Sequence, residues 1–575
     1  MAVVRGGGVF FWLLLMLSFF CWVHFFPLPN FVEMLLCSTG VVIFLCWRMM
    51  SGVLLWRLNV VSLLVVFFLV TCLVTAFLGA AVPAEKRQIA LFLIIMVAGV
   101  VLASQFDGDE KYYARLAWGL LLCGVAQCVG AIAMHYGVFQ VVVGDLSMPA
   151  VPRMRGFPAQ SNLLAILVFL SLLSAVYLYV CGRLRGCFLV LVLFLFGFVL
   201  FAAGSRAALL YFSFSMVLFL ILYRFSRGAF FRVFLMSFLV VLGGISYLEV
   251  DSKARPFFED LGYIQRDGVL ESGRDYSTAG FRPTEWRKSW LMLKENPVLG
   301  VGFGKYGVNS FWMGVKHQWA ITEGSFPTHS HNFFTQLGAE LGVFALAAGV
   351  VGWLALILVW WGAGRSVEWW FVGAVIGVFF VNSMLEYVFW HINYAVLFVF
   401  IVLPFFWKGR ALVLGFSRGV GVLIGLLALL FFSVISVSWI DVYRRVVLYS
   451  YGVDSALQMF DLQVAGEDSV WGNDVKILGL MWSLPNRENI EHYDKVTDEL
   501  MEWRPVNLVV MRRMHVLALR QDLSELYRLG CAMGRFYPKD IPAVERYLAS
   551  QEGVRGMPAE AVVRESLTQC GNSLD

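Results

Sequence analysis

Apolar runs of about twenty residues recur along this chain as far as residue 440, and they leave it few folds to choose from. A helix gains ~1.5 Å per residue, so roughly 20 residues cross the ~30 Å hydrocarbon layer. In lipid each backbone N–H and C=O must be satisfied inside its own element, so such runs become helices. They fall near residues 9–27, 31–47, 59–81, 88–104, 117–139, 161–180, 187–204, 207–223, 231–248, 332–360, 367–387, 392–407 and 413–440, about 13 transmembrane helices. Of the 575 residues 60% are hydrophobic and 14% charged, too little charge to cover a soluble globule. The net charge of +5 makes no case for nucleic acid at this length. The expected class is an all-α polytopic membrane protein.

The first run, Val9 to Pro27 behind Arg5, has the layout of a signal peptide. It is too long for one and no small-residue cleavage site follows, so it is expected to be an uncleaved span. Lys and Arg gather in alternate loops, at Arg48, Arg57, Lys111, Arg115, Arg183, Arg185, Arg224, Arg227 and Arg232. With those loops cytoplasmic, residues 249–331 and 441–575 face outward, into the periplasm of a bacterium. The expected organisation is a transmembrane domain over 1–440, a long periplasmic loop over 249–331 within it, and a C-terminal periplasmic domain over 441–575. The loop's aromatic residues and its helical stretch 283–294 suggest an ordered lid. The tail reads as short amphipathic helices over 486–502, 505–520, 522–535 and 541–552, spaced like helical hairpins of the tetratricopeptide kind. Eight of the ten cysteines lie in or beside apolar runs, as small core residues do. Cys531 and Cys570 could pair in an oxidising compartment.

The polar stretch Thr328–Phe344, THSHNFFTQLGAELGVF, opens a long apolar helix and is expensive to place at a membrane, which makes it a candidate site. His331 is the candidate general base, since an imidazole titrates near neutrality; helix capping is the structural alternative. His329 and His331 could instead chelate a metal, but the motif has no partner carboxylate. Glu340 is an intramembrane carboxylate, expected to meet an arginine or a buried water. Arg153, Arg155, Arg206, Arg282 and Arg287 remain on the outer face against the orientation rule. Guanidinium groups bind phosphate oxygens in a planar fork and stay charged; snorkelling is the better explanation for any single one, and Arg206 and Arg282 beside a histidine loop turn the balance towards function. Gln160 and Asn162 could bind sugar or phosphate, or merely cap a helix. Glu386 and Tyr387, with His391 nearby, end another span on the same face. The GxGxxG of Gly300–Gly307 has no strand before it, so its glycines are expected to serve tight turns.

In order, GFPAQSNLLA, GSRAALL, R-x3-W followed by NPVLGVGFGKYG, HSHNFFTQLGAELG and LEYVFWHINYA resemble the bacterial O-antigen ligase superfamily. Within it the chain looks most like the O-linked protein oligosaccharyltransferases, the pilin-glycosylating branch. The shared motifs run through about residues 150–400. The resemblance implies a GT-C-like membrane fold and an inverting transfer of a glycan from an undecaprenyl-pyrophosphate carrier at the periplasmic face of the inner membrane, with no metal or other cofactor. It implies catalysis by His331, binding of the donor pyrophosphate by Arg206, Arg282 and Gln160, and a secondary role for Tyr387. Arg155, from its place on the outer face, is a further expected donor-binding residue, and Asn332, Glu340 and His329 are expected to be secondary. Two departures, Ser161 where the family often has proline and Val388 where proline often follows the Glu-Tyr pair, bear on fine geometry.

The expected acceptor is a Ser or Thr hydroxyl of a periplasmic protein such as pilin. An O-antigen ligase acting on lipid A core, or an O-antigen polymerase, would use the same motifs. A transporter of the same lipid-linked glycan is disfavoured, because polar residues collect at span ends and no inverted repeat is evident.

Overall fold

The computed structural model describes residues 11–21, 24, 30–51, 57, 59–80, 83–139, 153–224, 226–263, 282–317, 319, 329–407, 417–450, 472–537, 540–551 and 554–571. Among them every regular element is helical. Nine helices are long and apolar enough to cross a membrane: Phe31–Met50, Val60–Leu78, Glu85–Ala103, Glu110–His135, Ser161–Val180, Arg227–Asp260, Phe333–Gly362, Val367–Leu385 and Gly419–Arg445. Three shorter apolar helices, Gly186–Ala202, Arg206–Leu222 and Ile392–Phe406, coincide with expected spans. The expected span at 9–27 falls partly outside the described residues.

The chain divides into two compact units. The first gathers Met1–Leu69, Phe92–Arg274 and Val351–Tyr451; the second gathers Val70–Leu91, Asp275–Val350 and Gly452–Asp575. The expected boundary at residue 440 therefore falls inside the helix Arg418–Ser450. The tail shares its unit with residues 70–91 and 275–350, so the expected loop over 249–331 is divided between the units.

In the first unit the helix Ser161–Val180 is the centre, with nearly all its side chains buried. It packs against Glu110–His135, Gly186–Ala202 and Val367–Leu385. Helices Gly186–Ala202 and Arg227–Asp260 touch backbone to backbone. A Cβ on Gly197 would fall 2.1 Å from the Val240 carbonyl, and one on Gly243 2.1 Å from that of Phe194. Small residues allow such close approach where lipid supplies no hydrophobic drive between helices. Apolar side chains left exposed on the outer helices, such as Phe231, Leu209 and Leu430, suit contact with acyl chains.

The outer loop begins later than hydropathy suggests, because the helix expected to end near 248 continues to Asp260. Its polar end is sustained by mutual pairing: His135 Nε2 lies 3.2 Å from Asp251 Oδ1, and Arg255 Nε 3.4 Å from Asp251 Oδ2. Residues 264–281 lie outside the described residues.

In the second unit the helical stretch expected over 283–294 forms the helix Arg282–Glu295, and Tyr306–His317 follows it. Glu285, buried, holds the two together. It takes Lys288 Nζ at 2.6 Å, Ser310 Oγ at 2.8 Å and Tyr306 OH at 2.8 Å. A buried ion pair is tolerable only when its remaining hydrogen-bonding capacity is also met, and here Ser310 also accepts from Lys288 at 3.0 Å.

The C-terminal helices are Gly472–Trp482, Ile490–Met501, Asn507–Arg520, Leu523–Phe536, Ile541–Ser550 and Pro558–Gly571; the middle four stand where amphipathic periodicity places them, and the first and last add to the expected set. They enclose their own apolar core, including Leu500, Val509, Met514, Leu526, Met533 and Leu567. Cys531 is disulfide-bonded, while the side chain of its expected partner, Cys570, is outside the described residues. The eight cysteines of the apolar region are free thiols.

Candidate functional site

The sequence-derived site residues divide between the two units. Arg155, Gln160, Arg206 and Tyr387 belong to the first; Arg282, His329, His331, Asn332 and Glu340 belong to the second.

In the first unit a polar network joins four segments. Arg153 Nε donates to the Ala203 carbonyl at 2.9 Å and its Nη2 to that of Gly204 at 3.3 Å. A cation therefore sits on the carbonyls that end one helix, where it is electrostatically favoured. Arg206 is the first residue of the next helix, two positions on. Arg153 Nη2 also donates to Asn162 Oδ1 at 3.3 Å, and Asn162 Nδ2 donates to Glu386 Oε1 at 2.7 Å. A second tie runs from Asn382 Nδ2 to Tyr211 OH at 2.7 Å, on the Arg206 helix. Gln160 makes no cap hydrogen bond to its helix; its side chain binds Tyr387. The network thus brings together the loop before Gln160, the start of the Arg206 helix and the turn carrying Glu386 and Tyr387.

Burial, and then the charge of Glu386, push the Tyr387 phenol up to about 12, against the Gln160 hydrogen bond. Tyr387 is thus an uncharged hydroxyl at neutral pH. His391 stacks on it with ring centroids 5.8 Å apart. Burial, followed by the neighbouring His24, holds the His391 imidazole down at about 4. Burial also keeps Arg155 below the ordinary arginine range, and a guanidinium remains charged there.

In the second unit His331 has φ = 54°, in the left-handed region that costs a residue with a Cβ about 1–3 kcal/mol and gathers at functional sites. The surrounding hydrogen bonds set this turn. Asn332 Oδ1 accepts from Phe334 N at 3.0 Å and Thr335 N at 3.1 Å, capping the helix start. Ser330 Oγ donates to the Asn332 carbonyl at 2.8 Å, and Ser330 N to Gln336 Oε1 at 2.7 Å. Asn332 is therefore the cap. The rings of His329 and His331 lie 4.2 Å apart between centroids.

The helix that follows is not continuous, contrary to expectation. It breaks at Gly342, with φ 79° and ψ −172°. The glycine-rich segment before Tyr306 fills the break: Val301 N donates to the Ala339 carbonyl at 2.8 Å, Gly302 N to that of Glu340 at 3.1 Å, and Val343 N to that of Pro297 at 2.8 Å. Groups orphaned by the break are satisfied by this insertion. Of the GxGxxG glycines, Gly302 and Gly304 are turn residues at positive φ, as is Gly300 before them, while Gly307 lies in the first turn of the helix Tyr306–His317. Glu340 meets several partners at once. Its hydrogen-bond donors are Tyr306 N at 3.1 Å, the Gly304 N–H and the Gln336 side chain, with Arg504 acting only electrostatically.

Sequence reasoning passed over Glu85 and Trp503, which are partners across 418 residues of chain, Tyr306, which bonds Glu285 and Glu340, and Gln336, which bonds Ser330 within its own motif. His24 was equally invisible inside an apolar run.

Residues 189–350 match the family model described as O-antigen ligase, and residues 370–544 match the one described as virulence factor membrane-bound polymerase, C-terminal. The two matches support the O-antigen ligase superfamily. The first covers Arg206, Arg282, His331 and Glu340, the second Glu386, Tyr387 and most of the C-terminal helices. Members of the O-antigen ligase family are glycosyltransferase-like ligases or polymerases, so the matches support an enzyme with activity of that type in a multi-pass membrane protein. No curated protein matches the chain.

Proposed function

We propose that this chain is an O-oligosaccharyltransferase of the bacterial inner membrane. It moves a glycan from an undecaprenyl-pyrophosphate carrier to Ser or Thr hydroxyls of periplasmic proteins such as pilin, with inversion and without a metal. The observation that carries the reading is the His331 turn, a left-handed backbone at a histidine flanked by the hydrogen bonds of Ser330 and Asn332, inside the segment matched to the ligase family.

In the proposed reaction the acceptor hydroxyl attacks the anomeric carbon from the face opposite the leaving group. The new C–O bond forms as the bond to the carrier phosphate breaks, His331 takes the hydroxyl proton, and undecaprenyl pyrophosphate departs with the bonding electron pair. Negative charge gathers on the leaving pyrophosphate, so Arg206 and Arg282 stabilise the transition state more than the ground state. Arg155 and Gln160 bind the donor headgroup, and Tyr387 offers a neutral hydroxyl to it. His329, Asn332 and Glu340 hold the surroundings of the base. Because guanidinium groups supply the positive charge, transfer is expected to persist in excess EDTA.

A protein acceptor is supported by the C-terminal helices with their own core, an arrangement suited to presenting a surface. The disulfide at Cys531 supports an oxidising compartment for them. A second reading, a polymerase whose acceptor is a sugar hydroxyl, draws on the match over 370–544. Purified protein offered carrier-linked glycan together with pilin, lipopolysaccharide core or a second lipid-linked glycan distinguishes the acceptors. Modification of pilin supports the first reading, and exclusive extension of the lipid-linked glycan replaces it with the second.

A further inference from the structure

Three buried carboxylates share one guanidinium in the second unit. Glu85 stands in the first turn of the helix Pro83–Ala103, Glu340 two residues before the Gly342 break, and Asp474 in the first turn of Gly472–Trp482. They are 4%, 3% and 4% exposed. Arg504 acts electrostatically on all three and stacks over Trp503 at 4.4 Å. Such an excess of buried acid is costly, so its neighbours are tightly specified.

The contacts lead from the C-terminal helices to the candidate base. Trp503 Nε1 donates to Glu85 Oε1. The other Glu85 oxygen has no hydrogen-bond partner and lies against Gly304, where an added Cβ would fall 2.0 Å from it. Gly304 and Tyr306 donate their N–H groups to Glu340. Gln336 bonds Glu340 with its side chain and accepts from Ser330 N at 2.7 Å, one residue before His331. Trp503, Glu85, Gly304, Glu340, Gln336 and Ser330 thus form an unbroken series.

We propose that the C-terminal helices hold the His331 turn in its left-handed geometry, with Trp503 and Arg504 as positioning residues acting through Glu85, Glu340 and Gln336. The tail is then a support for the reacting centre as well as a surface for the acceptor. The catalytic consequence rests on the function proposed above; the mechanical coupling does not.

The test uses the full-length protein in detergent. Trp503→Phe keeps an aromatic ring and removes the N–H, Arg504→Met removes the charge, and Arg504→Lys restores it. Backbone hydrogen exchange over residues 329–340 is expected to accelerate in Trp503→Phe and Arg504→Met and to return towards wild type in Arg504→Lys. Trp503→Phe should lower kcat for glycan transfer about tenfold, as displacement of a reacting group does, with donor KM unchanged and the melting temperature lowered by the loss of the hydrogen bond to buried Glu85. Unchanged exchange over 329–340 in both Trp503→Phe and Arg504→Met overturns the coupling, as does acceleration spread evenly along the chain. Should the wild-type protein transfer glycan to no acceptor, the proposed function falls, while the exchange measurement still decides the coupling. If Arg504→Met does not fold, Trp503→Phe alone carries the test.

Discussion

Asn162 Nδ2 donates to Glu386 Oε1 at 2.7 Å across 224 residues of sequence, while Asn162 Oδ1 accepts from Arg153. One amide is donor on one side and acceptor on the other, a combination neither a carboxylate nor an alkyl group provides. It joins the turn carrying Tyr387 to the arginine that closes the helix before Arg206. Asn162→Asp puts a second carboxylate beside buried Glu386, so it should disrupt the first unit more than Asn162→Ala. Losing a hydrogen bond to a charged group costs about 1.5–3 kcal/mol, and a lowered melting temperature in both variants, lowest in Asn162→Asp, is the expected result.

His331 can be separated into backbone and side-chain roles. Asparagine tolerates the left-handed region but cannot take a proton near neutrality. His331→Asn should fold with wild-type stability and transfer no glycan, and His331→Gly should do the same while relieving up to about 1 kcal/mol of backbone strain. Carrier binding, melting temperature and single-turnover transfer measured on the same preparations check this. Turnover at the wild-type rate in either variant removes His331 as the base.

Arg282→Lys and Arg206→Lys keep a positive charge and lose the planar fork. Each should reduce kcat well below wild type, and each methionine variant should fall further. Loss of one oxyanion donor corresponds to about a hundredfold, or ~3 kcal/mol. Steady-state kinetics with a fixed acceptor settle the ranking. Equal rates for arginine and lysine would mean that the position needs only a point charge.

Gly342 admits no side chain. Its φ is +79°, and an added Cβ would fall 2.2 Å from the Val298 carbonyl. Gly342→Ala should cost more than the ~1–2 kcal/mol of left-handed strain alone, because Val298 must also shift. A lowered melting temperature, with faster exchange at Val301 and Gly302, is expected.

Burial, helped by His24, holds His391 at about 4 in the folded chain, below the ordinary value of about 6.5. The unfolded chain therefore takes up the proton first, and stability present above pH ~6.5 is lost as pH falls towards 4. The full shift corresponds to on the order of 3 kcal/mol. His391→Phe keeps the ring and cannot be charged, so it should flatten the fall in melting temperature between pH 7 and pH 4. An unchanged slope would show that His391 does not contribute.

Sequence by itself determined where the helices lie. Apolar runs and amphipathic periods are local properties, and Ser161–Val180, Arg282–Glu295 and Asn507–Arg520 stand where those patterns put them. It also picked out the polar residues worth following, and it assigned the Gly300–Gly307 segment to turns. Tertiary structure alone decided what those residues touch. The continuous apolar pattern of 333–362 conceals the break at Gly342, because that break is stabilised by Pro297 and Val301 inserting from another part of the chain. Glu340 acquired the backbone donors of Gly304 and Tyr306 alongside the charge of Arg504, and Arg153 became a helix-end cap, for the same reason. Hydropathy is additive along the sequence, whereas the satisfaction of a buried polar group depends on which distant segment arrives beside it.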